Sequence, residues 1–186
     1  FDFKEWMDGG VTALADNQSL ILANLLEQTD SRKTESLLTL GRMMLSNGYS
    51  PEANGYFEMA NQYTPEMGKN PEFKALEGAA RALSGNYKDG FRSFSHPALD
   101  QIDEIKYWRA YALAGLDDWQ QAAKTLPARV DIQKTYPNAV MWPIALKLCE
   151  GALREGNTAK AEAILKLFEG DHGKKMPLGY AAALTY

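Results

Sequence analysis

Apolar residues recur at helical spacing along most of this chain, and short polar or glycine-containing breaks separate the apolar stretches. Proline follows a capping residue at Ser50-Pro51 and at Asn70-Pro71, which is typical of a helix start. The pattern therefore predicts a succession of helices with short connections. The predicted helices are one ending near Ser46, three opening at Ser50, Asn70 and Tyr87, and then Ile102–Ala114, Trp119–Leu126, Ala139–Glu155 and Thr158–Phe168.

The first 30 residues follow this pattern less clearly. Asp8-Gly9-Gly10 interrupts regular structure, and the run Ser19–Glu27 is apolar enough for a buried helix capped by Ser19. The same run could pair as a strand with Val11–Ala15, because periodicity does not separate helix from strand over so short a stretch. We favour a helix that packs on the first of the following hairpins and covers its apolar end.

Six positions in the first well-formed pair of helices carry most of the information. They are Leu40, Gly41, Ala53, Phe57, Ala60 and Pro65. A small residue at 41 and another at 53 would let two helix backbones approach, and Phe57 would fill the space below the crossing. The set resembles the signature of the tetratricopeptide repeat family.

Three further copies follow with drift, starting at Pro71, Asp103 and Trp142. The small residues at their helix crossings are Gly78 and Gly90, Ala110 and Ala122, and Cys149 and Ala161. Pro97 departs from the pattern, so the helix before it should stop near Ser95. The resemblance implies an all-α fold, an α-solenoid of antiparallel helix hairpins in a right-handed superhelix. It spans residues 31–175, and residues 176–186 begin a further, truncated hairpin. Ala53 and Ala122 should be almost fully buried.

Composition agrees with a folded helical domain and narrows the possible partners. Hydrophobic residues make up 45% of the 186 residues, and the net charge is −4. Lysines and arginines are scattered among acidic residues, which argues against a nucleic-acid partner. No stretch is long and apolar enough to predict a membrane span. The chain begins at Phe1 without Met and ends in an apolar stretch, which is typical of a segment of a longer protein.

The residues that usually carry chemistry do not form a catalytic or metal-binding set. His96 and His172 lack ligand partners at helical spacing, so neither predicts a metal site. Asp117-Asp118 lies in a turn, where solvated carboxylates are common. Cys149 falls at a helix crossing, where a thiol acts as a small apolar residue. We therefore expect no enzyme activity, no metal and no cofactor.

The resemblance implies that the first helix of each hairpin lines a concave face that binds a protein or peptide. Carried over by position, the predicted contact residues are Arg42, Leu45, Ala79, Tyr107, Tyr111, Glu150 and Arg154. The Lys and Asn clamp with which chaperone-binding members hold a terminal carboxylate is absent. For Leu38, Ala75 and Leu146, ligand contact and packing between hairpins remain equally open.

Two functions from different classes remain open. The favoured one is a protein-interaction module within a larger protein; the other is a structural spacer or oligomerisation arm without a ligand. A binding module should expose Tyr107 and Tyr111 in a continuous groove, whereas a spacer should bury them. We also expect the truncated carboxyl-terminal end either to fray or to associate with another copy of the chain, because solenoid ends need polar caps.

Overall fold

A computed structural model describes residues 1–7, 9–127 and 135–166. Regular structure within these ranges is helical throughout and contains no strand, which confirms the all-α class. The predicted start of a further hairpin at 176–186 lies outside the described residues. The helices are α1 (Phe3–Trp6), α2 (Gly10–Leu25), α3 (Asp30–Ser46), α4 (Ser50–Tyr63), α5 (Pro71–Leu83), α6 (Tyr87–Phe94), α7 (Asp103–Gly115), α8 (Trp119–Thr125), α9 (Asn138–Arg154) and α10 (Thr158–Leu165).

Helices α3 to α10 form four consecutive pairs, α3/α4, α5/α6, α7/α8 and α9/α10, whose members pack against each other. In each pair a residue with positive φ follows the first helix: Gly48 (87°), Gly85 (85°), Asp117 (61°) and Gly156 (70°). Glycine and, less readily, aspartate tolerate this left-handed conformation. The left-handed backbone conformation of these turns therefore favours the glycine found in three of them, and the third pair has an aspartate in the same place.

Small residues allow close helix crossings, as predicted. A Cβ added at Gly41 would lie 2.3 Å from the Phe57 ring, and one added at Gly78 would lie 2.7 Å from Phe94. Ala53 is fully buried and Ala122 is 4% exposed, which confirms their predicted burial. Larger side chains at these positions would force the paired helices apart.

A second predicted detail, the early end of the helix before Pro97, is also present. Helix α6 ends at Phe94, and a short 3₁₀ turn, Pro97–Leu99, follows it. Arg109 of α7 donates hydrogen bonds to the carbonyl oxygen of Phe94, from Nε at 2.9 Å. The carbonyl oxygen of the last residue of α6 therefore accepts hydrogen bonds from a side chain of the next helix pair.

The amino-terminal region is helical, so the strand pairing considered for residues 11–27 is wrong. Helix α2 begins at Gly10, which places Ser19 inside the helix and not at its cap. Leu25 packs with Leu37 of α3 and Ala60 of α4, as expected for a helix that covers the first pair. Residues 1–6, which we call the aromatic arm, turn away from α2 at Gly9 and form the short helix α1.

The first of the four pairs contacts the last. Helix α3 contacts α9, and a Cβ added at Gly48 would lie 2.8 Å from the Cβ of Ala139. One apolar core runs from Leu45 of α3 to Met141 of α9. Buried residues of the first helices of all four pairs belong to this core.

Candidate binding face

Four of the seven predicted contact residues are buried in the core. Leu45 and Ala79 are fully buried, Tyr107 is 1% exposed and Tyr111 is 3% exposed. The prediction that both tyrosines line an open groove is therefore wrong. Helix α7, which carries both tyrosines, packs against α5, α6 and α9. The Tyr111 ring packs edge-on against Tyr87, with 5.6 Å between the ring centroids.

The aromatic arm occupies the part of this face that remains between α3 and α7. Phe3 is 1% exposed, and its ring centroid lies 4.7 Å from that of Tyr136. The Phe1 ring lies 5.3 Å from the ring of Trp108. These separations are typical of aromatic pairs, which are stabilised beyond the area they bury. Two rings of the arm thus pack on Trp108 of α7 and on Tyr136, which together we call the aromatic floor.

Polar contacts join the aromatic floor to the arm. The charged amino group of Phe1 donates to Glu104 Oε2 at 2.8 Å and forms an ion pair with it. The hydroxyl of Tyr136 donates to the other oxygen of Glu104 at 2.5 Å and accepts from Trp108 Nε1 at 3.1 Å. Burial, reinforced by the neighbouring Glu104 carboxylate, raises the pKa of the Tyr136 hydroxyl well above its ordinary value. Tyr136 therefore remains a neutral donor that fixes Glu104 below the arm.

Arg42 is the predicted contact residue that does face this site. Its guanidinium carbon lies 5.7 Å from the centroid of the Trp6 ring, within cation–π range. Its Nε atom is buried and has no hydrogen-bond acceptor among the residues that the structure describes. A buried donor without an acceptor is costly, so this atom would gain from an acceptor if a movement of its neighbours exposed it.

A cavity of about 320 Å³ lies beside the arm. Its apolar wall includes Trp6, Ala75, Leu76 and Ile105, and Arg42 forms part of its polar wall. We call this space the arm cavity. Ala75, which the sequence left open between ligand contact and packing, therefore lines a space large enough for a further side chain.

The last two predicted residues, Glu150 and Arg154, form a surface cluster elsewhere. Arg154 Nη2 donates to Glu150 Oε1 at 2.8 Å, and its guanidinium carbon lies 4.8 Å from the Trp119 ring centroid. Burial opposes ionisation of Glu150, but hydrogen bonds from Arg154 and Lys147 outweigh it and lower the pKa of the carboxyl. The charges satisfy one another, and neither residue lines the arm cavity.

The described residues contain no group of three or more metal-binding side chains. His96 uses Nδ1 to accept a hydrogen bond from the backbone of Ala98 at 3.2 Å, and His172 lies outside the described residues. Within the described part of the chain, no helix has the length and apolarity needed to cross a membrane.

Cys149 is 4% exposed, and burial raises the pKa of its thiol. We expect a thiol reagent at pH 8 to modify the folded chain far more slowly than the chain in denaturant, because both access and the thiolate fraction are reduced. Absorbance of the released chromophore measures both rates. Rapid modification of the folded chain would show that the thiol is accessible and that the α9 crossing is described wrongly.

Comparison of the chain with models of protein families, with curated proteins and with solved structures gives no match. We therefore infer the function from the arm, the aromatic floor and the arm cavity.

Proposed function

We propose that this chain is a protein-interaction module built as a solenoid of tetratricopeptide type, which holds a partner's peptide segment against the concave side of its first helices. We assign it no catalytic reaction, since its sequence lacks a set of acid, base and nucleophile. The family resemblance, including the right-handed superhelix, is part of this proposal. It is supported by the four helix pairs and by the small residues at their crossings.

The observation that carries the proposal is the position of the aromatic arm. A short peptide segment of this chain already lies across α3 and α7. These are first helices of their pairs, which line the ligand-binding face in the family that the chain resembles. The arm buries Phe3 and places Trp6 against Arg42. Tryptophan and arginine are typical anchors of protein interfaces because each covers a large area with few rotatable bonds.

Arg42 and the arm cavity supply the chemistry of recognition. The guanidinium of Arg42 lines the cavity and would donate to an oxygen of the ligand, and the apolar wall formed by Ala75, Leu76 and Ile105 would accept an apolar side chain. The polar wall also holds carboxylates, and a mainly apolar wall with a few polar groups is typical of peptide and small-ligand pockets.

Selection of a random peptide library on the intact chain, followed by calorimetric titration of the selected peptides, tests the proposal. We expect Arg42→Met to weaken their binding by about 10- to 100-fold, because it removes a hydrogen bond from a charged donor but keeps an apolar side chain against Trp6. The matched control is Arg92→Met. Arg92 lies on α6, is exposed and pairs with Asp89, so its replacement should leave the affinity unchanged.

A spacer without a ligand is the second candidate, and a specific observation favours it. Tyr107 and Tyr111 are buried, as a purely structural array requires. Failure to select any peptide, or selected peptides that bind Arg42→Met as tightly as the parent chain, would favour the spacer over the interaction module.

A further inference from the structure

We infer that the aromatic arm is a tethered ligand of the concave face, and that the partner is a protein segment with the same aromatic pattern, Phe-x-Phe-x-x-Trp, which displaces it. The inference rests on the proposed function and names the chemistry of the partner. The arm has the sequence Phe-Asp-Phe-Lys-Glu-Trp. Its aromatic residues at 1, 3 and 6 contact the repeats, while Asp2, Lys4 and Glu5 are exposed.

The contacts of the arm are those of a bound peptide. Three rings enter a site composed of Trp108, Tyr136 and Arg42, with ring separations of 5.3 Å for Phe1 and Trp108 and 4.7 Å for Phe3 and Tyr136. The polar contact at the start of the arm is an ion pair between the amino group of Phe1 and the Glu104 carboxylate. A partner segment with a positive charge at this position could make a similar contact.

The connection of the arm to the rest of the chain permits it to leave. Gly9 and Gly10 both have positive φ, 76° and 60°. A Cβ added at Gly10 would meet nothing within 4 Å, whereas one added at Gly9 would lie 2.5 Å from the Cβ of Ala13. Glycine adopts a wider range of backbone conformations than other residues, so two in succession can act as a hinge. Beyond the hinge, α2 is held by its own contacts, which include the hydrogen bond from Gln18 Nε2 to the Tyr56 hydroxyl at 2.7 Å. The arm can therefore move without displacing α2.

The fit of the arm is incomplete, which leaves room for a better ligand. The arm cavity of about 320 Å³ separates Trp6 from Ala75 and Ile105, and Arg42 Nε has no acceptor among the described residues. A partner segment that keeps the three aromatic residues and adds an acceptor or an apolar side chain here would gain contacts that the arm does not make.

A short tether gives the arm an effective concentration on the order of 1 mM, so a free segment binds the intact chain much more weakly than a chain whose arm has been detached. To detach the arm without altering the folded protein, a protease recognition sequence is inserted between Gly9 and Gly10 of the full chain. The chain is purified intact, cut and dialysed. The probe is a peptide of residues 1–7 with a free amino group and a fluorophore at its carboxyl end, and anisotropy reports its binding.

We expect the probe to bind the cut chain about tenfold or more tightly than the uncut chain. Replacement of two contacting aromatic residues in the probe, Phe3→Ala with Trp6→Ala, should abolish binding. Replacement of the exposed residues, Lys4→Ala with Glu5→Ala, should leave it unchanged and serves as the matched control. Circular dichroism of the cut, dialysed chain should retain the helicity of the intact chain.

Five results would overturn the inference. The arm could remain bound to the cut chain through dialysis, or the chain could lose helicity when the arm is released, and either would make the arm part of the core. Equal affinity of the probe for cut and uncut chains would show that the arm does not compete. A dimer of the uncut chain in sedimentation, dispersed by Phe3→Ala with Trp6→Ala, would assign the face to the arm of a second copy. Selected peptides that need Arg42 but bind cut and uncut chains equally would overturn the displacement while leaving the proposed function in place.

Discussion

Ala53→Asp is expected to destabilise the fold by roughly 3–5 kcal/mol, the loss typical of an uncompensated buried charge. Ala53 is fully buried in the main apolar core, at the crossing of α3 and α4. An aspartate there either remains charged in an apolar contact or takes up a proton, and both states cost free energy. For a chain of this size the loss corresponds to a decrease of about 6–20 °C in the melting temperature, which circular dichroism measures.

The same helix provides a control for this variant. Gly55 is exposed two residues further along α4, and a Cβ added there would meet nothing within 4 Å. Gly55→Asp adds the same charge to the surface and should change the stability by no more than about 0.5 kcal/mol. An unchanged melting temperature for Ala53→Asp would disprove the predicted register of the repeats, whatever Gly55→Asp does.

The features that could be predicted from the sequence are those that depend on neighbouring residues. The turn after α5 needs a left-handed residue and has Gly85, and the crossing of α5 with α6 needs a small residue and has Gly78. Each requirement is met within about 20 residues of chain, so spacing alone reveals it. The same is true of Pro97, which cannot continue the helix that ends at Phe94.

The burial of the two tyrosines of α7 could not be predicted from a single pair, because α7 packs against helices of the neighbouring pairs. The contact between the first pair and the last is likewise not encoded by any motif within one pair. A signal for burial was nevertheless present in α7. Tyr107 and Tyr111 lie on one face of this helix and Ile105 and Leu113 on the opposite face, and a helix that is apolar on every side is buried.

Only part of the arm cavity could be predicted from the sequence, again because the repeat pattern reveals only what is needed within one helix pair. Arg42 was identified from its position in the first pair, and it does line the arm cavity. Its neighbour Trp6 was missed because nothing in the repeat pattern refers to residues before the first hairpin. Three aromatic residues within six, directly before a glycine pair, were the available indication that this segment packs on something else.

The second large effect is expected at Trp108, which joins the core to the arm. Its side chain is fully buried, and its ring centroid lies 5.3 Å from Phe1, 6.0 Å from Phe94 and 6.0 Å from Tyr136. Trp108→Ala should cost about 3–5 kcal/mol, because it opens a large cavity below the arm. Urea unfolding followed by circular dichroism measures the loss.

Trp108→Phe is the matched variant, since it retains an aromatic ring and removes the hydrogen bond from Nε1 to Tyr136. Trp108→Phe should lower the free energy of unfolding by less than Trp108→Ala does, because most of the buried area is kept. The lost hydrogen bond alone accounts for about 1 kcal/mol.

Limited proteolysis at the Gly9-Gly10 hinge gives a second readout. If the aromatic floor holds the arm, the alanine variant should be cut faster than the phenylalanine variant under conditions where both are folded. Equal cutting rates, or an alanine variant as stable as the parent chain, would show that the arm is held elsewhere.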